Sequence, residues 1–130
     1  MDVSSIADLE RLAEEMNVTL CSHTGGEKGR WHSRWRAISI RKGLGPVNHL
    51  CTLAHELGHA VLGHDSTATG WLYDLQERDA DRWAARILIN PHAYTAAEQR
   101  HPSAHAIAFE LGVTVHVVDV WRGAQERILI

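Results

Sequence analysis

His55-Glu56-Leu57-Gly58-His59 sets two imidazoles four residues apart with a carboxylate between them. On a helix such residues stand one turn apart on one face, so both rings can reach one zinc ion while Glu56 stands beside it, placed to take a proton from an attacking water and pass it to a leaving amine. A catalytic zinc takes three protein ligands and keeps one position open, so a third ligand must lie elsewhere. One known layout needs Gly and then His or Asp at fixed steps after the second histidine. Asp65 falls at the ligand step, but Leu62 occupies the glycine position. The other layout uses a carboxylate on a following helix, and Glu77-Arg78-Asp79-Ala80-Asp81 offers three. At about 100° per residue, Glu77 falls inside an apolar stripe centred near Ala80 and Ala84, whereas Asp79 lies about 100° to the other side. A carboxylate in a packed face needs a partner, and zinc would supply one. Glu77 is therefore the expected third ligand, with Asp79 in reserve. Asp81, one turn after Glu77, is either the outer carboxylate that takes the second N–H of a ligating histidine or an ordinary surface acid.

Two helices must carry these groups. From about Val47 to Leu62, after Pro46, the residues Leu50, Leu53, Leu57 and Val61 recur at helical spacing, with His55 and His59 nearly opposite, and Gly63 ends the run. A polar loop, Asp65 to Gly70, leads to a second helix whose face is Ala80, Trp83, Ala84, Ile87 and Leu88, stopping before Asn90-Pro91. Upstream, Ser5 caps an amphipathic helix with Ile6, Leu9, Ala13 and Met16 on one face. Val18 to Cys21, a glycine-rich turn at Gly25 to Gly29, and Trp31 to Ile40, where Trp35, Ala37 and Ser39 alternate with Arg36, Ile38 and Ile40, read as two or three antiparallel strands. Downstream, Thr95 with Glu98 reads as a capping box, and His105–Leu111 and Val115–Gln125 as two short helices parted by Gly112. The expected fold is α+β: a small antiparallel sheet packed on the motif helix and on a second, ligand-bearing helix, with short C-terminal helices, all in one domain spanning 1–130.

The 130 residues, 45% hydrophobic and 22% charged, exclude disorder and fibrous classes. A net charge of −3 argues against a protein that coats nucleic acid. Met1-Asp2-Val3-Ser4 lacks the features of a signal peptide and no apolar run spans a bilayer, so a cytoplasmic setting without membrane contact is expected. Cys21 and Cys51 are expected to be free, Cys51 as a small buried residue more than as a thiolate ligand. Of the ten histidines, His49, His92, His101, His105 and His116 have no partner at ligand spacing, and surface or capping roles suffice. The five tryptophans read as core and rim packing. Ala108 to Thr114, with Val118, carries the cues of a helix-turn-helix, but Arg122 and Arg127 are set against Glu110, Asp119 and Glu126, so direct DNA binding is not expected and these helices read as packing or partner-docking.

Thr52-Leu53-Ala54-His55-Glu56-Leu57-Gly58-His59-Ala60-Val61-Leu62-Gly63-His64 and Glu77-Arg78-Asp79-Ala80-Asp81-Arg82-Trp83-Ala84-Ala85-Arg86-Ile87-Leu88-Ile89 together resemble the ImmA/IrrE-type metallopeptidases of phages, mobile elements and bacterial stress regulators. The second block is the more specific, although Asp79, Trp83 and Ile89-Asn90-Pro91 depart from the usual pattern. The resemblance implies a compact zincin-like peptidase holding one Zn2+ per chain through His55, His59 and Glu77, and a protein substrate, a helix-turn-helix repressor. Tyr73 and His64, and beyond them Arg82 and His32, are candidate donors to the developing oxyanion. By analogy with related peptidases, the strand from Arg34 to Ile40 is a candidate substrate edge, against the alternative of an ordinary sheet strand. Two other readings compete: a metal-stabilised module that binds protein or DNA without hydrolysis, and a toxin-like peptidase.

Overall fold

The computed structural model describes Val3 and residues 5–129. Met1, Asp2, Ser4 and Ile130, and the side chains of Glu126, Arg127, Ile128 and Leu129, lie outside the described residues. Ser5 accepts a hydrogen bond from the Asp8 amide at 3.2 Å and starts α1 (Ile6–Glu15), which buries Leu9 and Ala13. Asn17, at φ 57, turns the chain into β1 (Thr19–His23); asparagine tolerates this left-handed conformation better than most residues. Two further strands follow, β2 (Gly29–His32) and β3 (Ala37–Arg41). The stretch from Trp31 to Ile40 is thus split between two strands, and the turn between them contains Arg36 at φ 47 and an exposed Trp35.

The sheet is mixed, not antiparallel as expected. Its order is β1-β3-β2, with β2 antiparallel to β3 and β1 parallel to β3 from Thr19 opposite Ala37 to His23 opposite Arg41. The chain reverses at the glycine turn and again after His32, so β3 runs in the direction of β1. Because β3 inserts between its predecessors, those two reversals yield one parallel pair. Ile38 and Ile40 are buried, and so is Ser39 between them, whose hydroxyl lies 2.5 Å from His23 Nδ1 on the neighbouring strand.

Pro46 opens α2 (Pro46–Val61) in its first turn, where a missing N–H costs nothing. Leu53, Ala54 and Leu57 are buried against α1 and the sheet, but Cys51, Glu56 and His59 are buried as well. The helix is therefore central, and the face carrying the motif is covered. Gly63, at φ +67, ends the turn that follows. Next comes α3 (Gly70–Leu88), with Ala80 and Ala84 in its buried stripe. The helix α4 (Pro91–Arg100) begins earlier than a Thr95 cap would place it. Asn90 accepts from the His92 and Ala93 amides, while the Thr95 hydroxyl donates to the Pro91 carbonyl and Glu98 accepts from Tyr94. Proline at the first helical position outweighs the later Thr/Glu pair. Last are α5 (Ala104–Leu111) and α6 (Val115–Leu129), joined through left-handed Gly112 and bent by 107°.

Two apolar clusters result. One joins α1, the sheet and α2 around Leu9, Ile38, Leu53 and Leu57; the other joins α4, α5 and α6 around Ile107, Val118 and Trp121. Cys51 of α2 and Ala85 of α3 enter the second cluster, so these two helices stand between the halves. Trp31 and Trp121 are buried, but Trp35 and Trp71 are 70% and 78% exposed, so not every tryptophan packs. Among the described residues no single helix is long and apolar enough to cross a membrane.

Candidate metal centre

The close crossing of α2 and α3 creates the site. A Cβ at Gly58 would stand 2.9 Å from the Ala80 carbonyl oxygen and 3.1 Å from its Cα. Only glycine allows that approach, and it brings Glu77, one turn before Ala80, over the two motif histidines. The His55 and His59 Nε2 atoms lie 3.2 Å apart, and Glu77 Oε2 stands 2.7 Å from the first and 3.6 Å from the second. Three donors of a type zinc accepts therefore converge. Ligands at zinc–donor distances in a tetrahedron lie roughly 3.3 Å from one another, so this triangle has the size of a zinc site. Asp79 is not part of the three-donor group, and Asp65 instead accepts from the Thr67 amide and hydroxyl.

Each ring is held by its far nitrogen, which leaves Nε2 to face the centre. His55 Nδ1 lies 2.8 Å from Asp81 Oδ1, the outer-carboxylate position. The other Asp81 oxygen is 2.9 Å from His116 Nε2 of α6, so His116 has a partner after all. Its contact spans 35 residues and two intervening helices, and no local spacing could have shown it. His59 Nδ1 lies 2.9 Å from His64 Nδ1. Burial and the neighbouring His59 hold His64 below the usual imidazole range, which keeps it neutral with a ring nitrogen free to accept a hydrogen bond from His59. Burial disfavours a charged His55, but hydrogen bonds to Asp81 and Glu77 outweigh it and hold its pKa up to about 10. Those imidazoles in turn hold Glu77 well below the ordinary carboxylate range. A shared proton thus satisfies, in the metal-free chain, the donors a cation would join.

Glu56 is buried beside this group, and burial pushes its pKa up while His55 and His59 pull it down. Gly29, at the start of β2, makes room for it: a Cβ there would stand 2.8 Å from Glu56 Cγ and 2.6 Å from Thr52 Cγ2. In the sequence Gly29 marks only the end of a turn. A polar cavity of about 410 Å³ opens over the site, lined in part by Glu56, His59, His64, Tyr73, Glu77 and His32. Tyr73 is half exposed, and the charge of Glu77 beside it raises its pKa, keeping the phenol protonated. Arg82 lines a different depression, with Arg78 and Val120. Cys51 stays a neutral thiol, its pKa raised by burial, and is not among the converging donors.

The candidate substrate edge also moves. Both edges of β3 are already paired, so the segment from Arg34 to Ile40 offers no free ladder; the free edge nearest the site belongs to β2, whose Gly29 to His32 line the polar cavity.

No curated protein matches the chain. A family model described as the IrrE N-terminal-like domain, a peptidase domain, matches residues 10–120, a span that includes every donor and holding residue named above. With most of its length matched and the three donors of its site converged, the chain belongs to the IrrE N-terminal-like family of zinc-dependent metallopeptidases.

Proposed function

We propose that the protein is a zinc endopeptidase that hydrolyses a peptide bond in a protein substrate, a helix-turn-helix transcriptional repressor. The observation that carries the chemistry is the convergence of His55, His59 and Glu77 beside a buried Glu56; the choice of target rests on family membership. His55, His59 and Glu77 would hold the ion, with Asp81 and His64 fixing the rings. Bound there, zinc supplies a Lewis acid and brings the acidity of water toward neutrality. Glu56 takes the proton of the attacking water and returns it to the leaving amine, and its burial, by raising its pKa, suits it to both transfers. Tyr73, which lines the same cavity one turn before Glu77, donates a hydrogen bond from its hydroxyl to the carbonyl oxygen as charge develops there. The substrate lies extended along the free edge of β2. The same reading takes 1–130 as one metallopeptidase domain acting in a cytoplasmic setting, where Cys21 and Cys51 remain free thiols.

The test is Glu56→Gln. It should keep zinc, measured by elemental analysis, and slow cleavage of a helix-turn-helix repressor encoded beside this gene by about 10²- to 10⁴-fold. Cleavage at the wild-type rate would refute the mechanism. A repressor held but left intact by both forms would mark a binding module instead.

A further inference from the structure

Two cavities meet at Glu56. The polar one runs along β2. The other, about 470 Å³, lies between α2 and α6, and Gly29, Glu27 and Glu56 border both. Its size falls among ordinary ligand clefts. Cys51, Ala84, Val117 and Val120 give it its apolar lining, and His55 and Glu56 line it as well.

Three features define what fits. First, the wall is apolar, and Ala84, at 2% exposure, leaves the space a larger residue would fill. Second, the stretch of lining built by Cys51, Ala84, Val117 and Val120 carries no charge, and the nearby carboxylate of Asp81 is already shared between His55 and His116. A charged side chain set against that stretch would lose water and gain no partner from it. Third, Gly29 and Glu56 line both this cavity and the β2 groove, so a peptide lying on that edge passes beside it. Because His55 and Glu56 are part of its lining, the side chain that fills it belongs to a residue next to the bond under attack.

We infer that this cavity is a specificity pocket that receives a medium-sized aliphatic side chain from a residue flanking the scissile bond, with Val117 and Val120 of α6 setting its depth. The inference rests on the peptidase reading of the site. It gives α6 a second role: besides holding Asp81 through His116, it selects substrate.

The test measures binding, so that it does not depend on turnover. The zinc-loaded chain is titrated calorimetrically with peptidyl hydroxamates that differ only in one side chain: methyl, isobutyl, carboxymethyl or aminobutyl. Each methylene withdrawn from water adds roughly three- to fourfold in affinity, so isobutyl should bind on the order of tenfold or more tighter than methyl, and both charged probes more weakly than isobutyl. Val120→Trp should abolish the isobutyl advantage, and Val120→Ala should extend preference to a phenylethyl probe, both with zinc content unchanged. Equal affinity of the wild type for all four probes, failure to bind any of them, or an order unaltered in both variants would overturn the pocket. Side-chain discrimination without cleavage of any protein would leave the pocket standing and remove the peptidase reading; cleavage without discrimination would do the reverse.

Discussion

At the scale of single residues, the two histidines differ in how they are held. His55 is fixed by a carboxylate and His59 by another imidazole. Outer partners of this kind are worth about 10- to 100-fold in metal affinity, so Asp81→Ala should weaken zinc binding by that order in a chelator-competition assay. His116→Ala, which frees only one Asp81 oxygen, should weaken it less. Glu77→Ala should remove zinc almost wholly while Asp79→Ala retains it; undiminished zinc in the former would show that the third donor lies elsewhere. Gly29→Ala tests the base instead of the metal. Its methyl would meet Glu56 and Thr52 well inside contact distance, so cleavage should fall at least about tenfold, by the cost of overpacking, with zinc content unchanged. Glu56 and the two histidines were legible from their spacing alone. Gly29 was not, because what it makes room for lies 27 residues further along the chain.

At the scale of elements, the contact between α2 and α3 carries the site. Gly58 faces backbone atoms of Ala80, which cannot swing aside as a side chain could. Gly58→Ala should therefore force the helices apart, lowering stability by about 1–3 kcal/mol in denaturant unfolding and weakening zinc binding in the same variant, since Glu77 moves with α3. An equally placed substitution on an exposed stretch of α3, such as Arg78→Ala, should do neither. The helices α1 and α2 were legible: a 3.6-residue period and the caps at Ser5, Pro46 and Gly63 place them to within a residue or two, whereas α4 opens at Pro91 and not at the expected Thr95 cap. The sheet was less so. Alternation reports which side chains face inward but says nothing of which neighbour a strand takes, and the parallel pairing of β1 with β3 follows from the insertion of β3 between its predecessors.

For the molecule as a whole, the charges around the centre set how stability depends on pH, with opposite trends in the metal-free and zinc-loaded forms. In the metal-free chain His55 is raised from its ordinary 6.5 to about 10, so the folded state binds the extra proton across that interval. Its contribution is complete below pH 6.5 and is lost as pH climbs toward 10. Glu77 and Asp81 are lowered from 4.5 and 3.8, so their contributions are present above those values and are lost in acid. Thermal melts of chelator-treated protein should therefore peak between about pH 5 and 6.5 and decline toward pH 10. Zinc must displace the His55 proton, so its affinity should rise with pH over the neutral range. A metal-free melting temperature that climbs from pH 7 to 10 would contradict the shared-proton arrangement.

The amino-acid order alone determined the donor types, their spacing on a helix, the amphipathic helices that present them and the family to which both blocks belong. Those properties are local: they depend on residues within a turn or two, where helical geometry leaves little freedom. Only the tertiary structure decided that Asp81 reaches both His55 and His116, that His64 braces His59, that β2 and not β3 offers the free edge, and that α6 closes an apolar pocket against Glu56. Each of these joins segments far apart in the chain. They depend on how closely helices and strands can approach, and two glycines, Gly58 and Gly29, set that distance where the chemistry needs it.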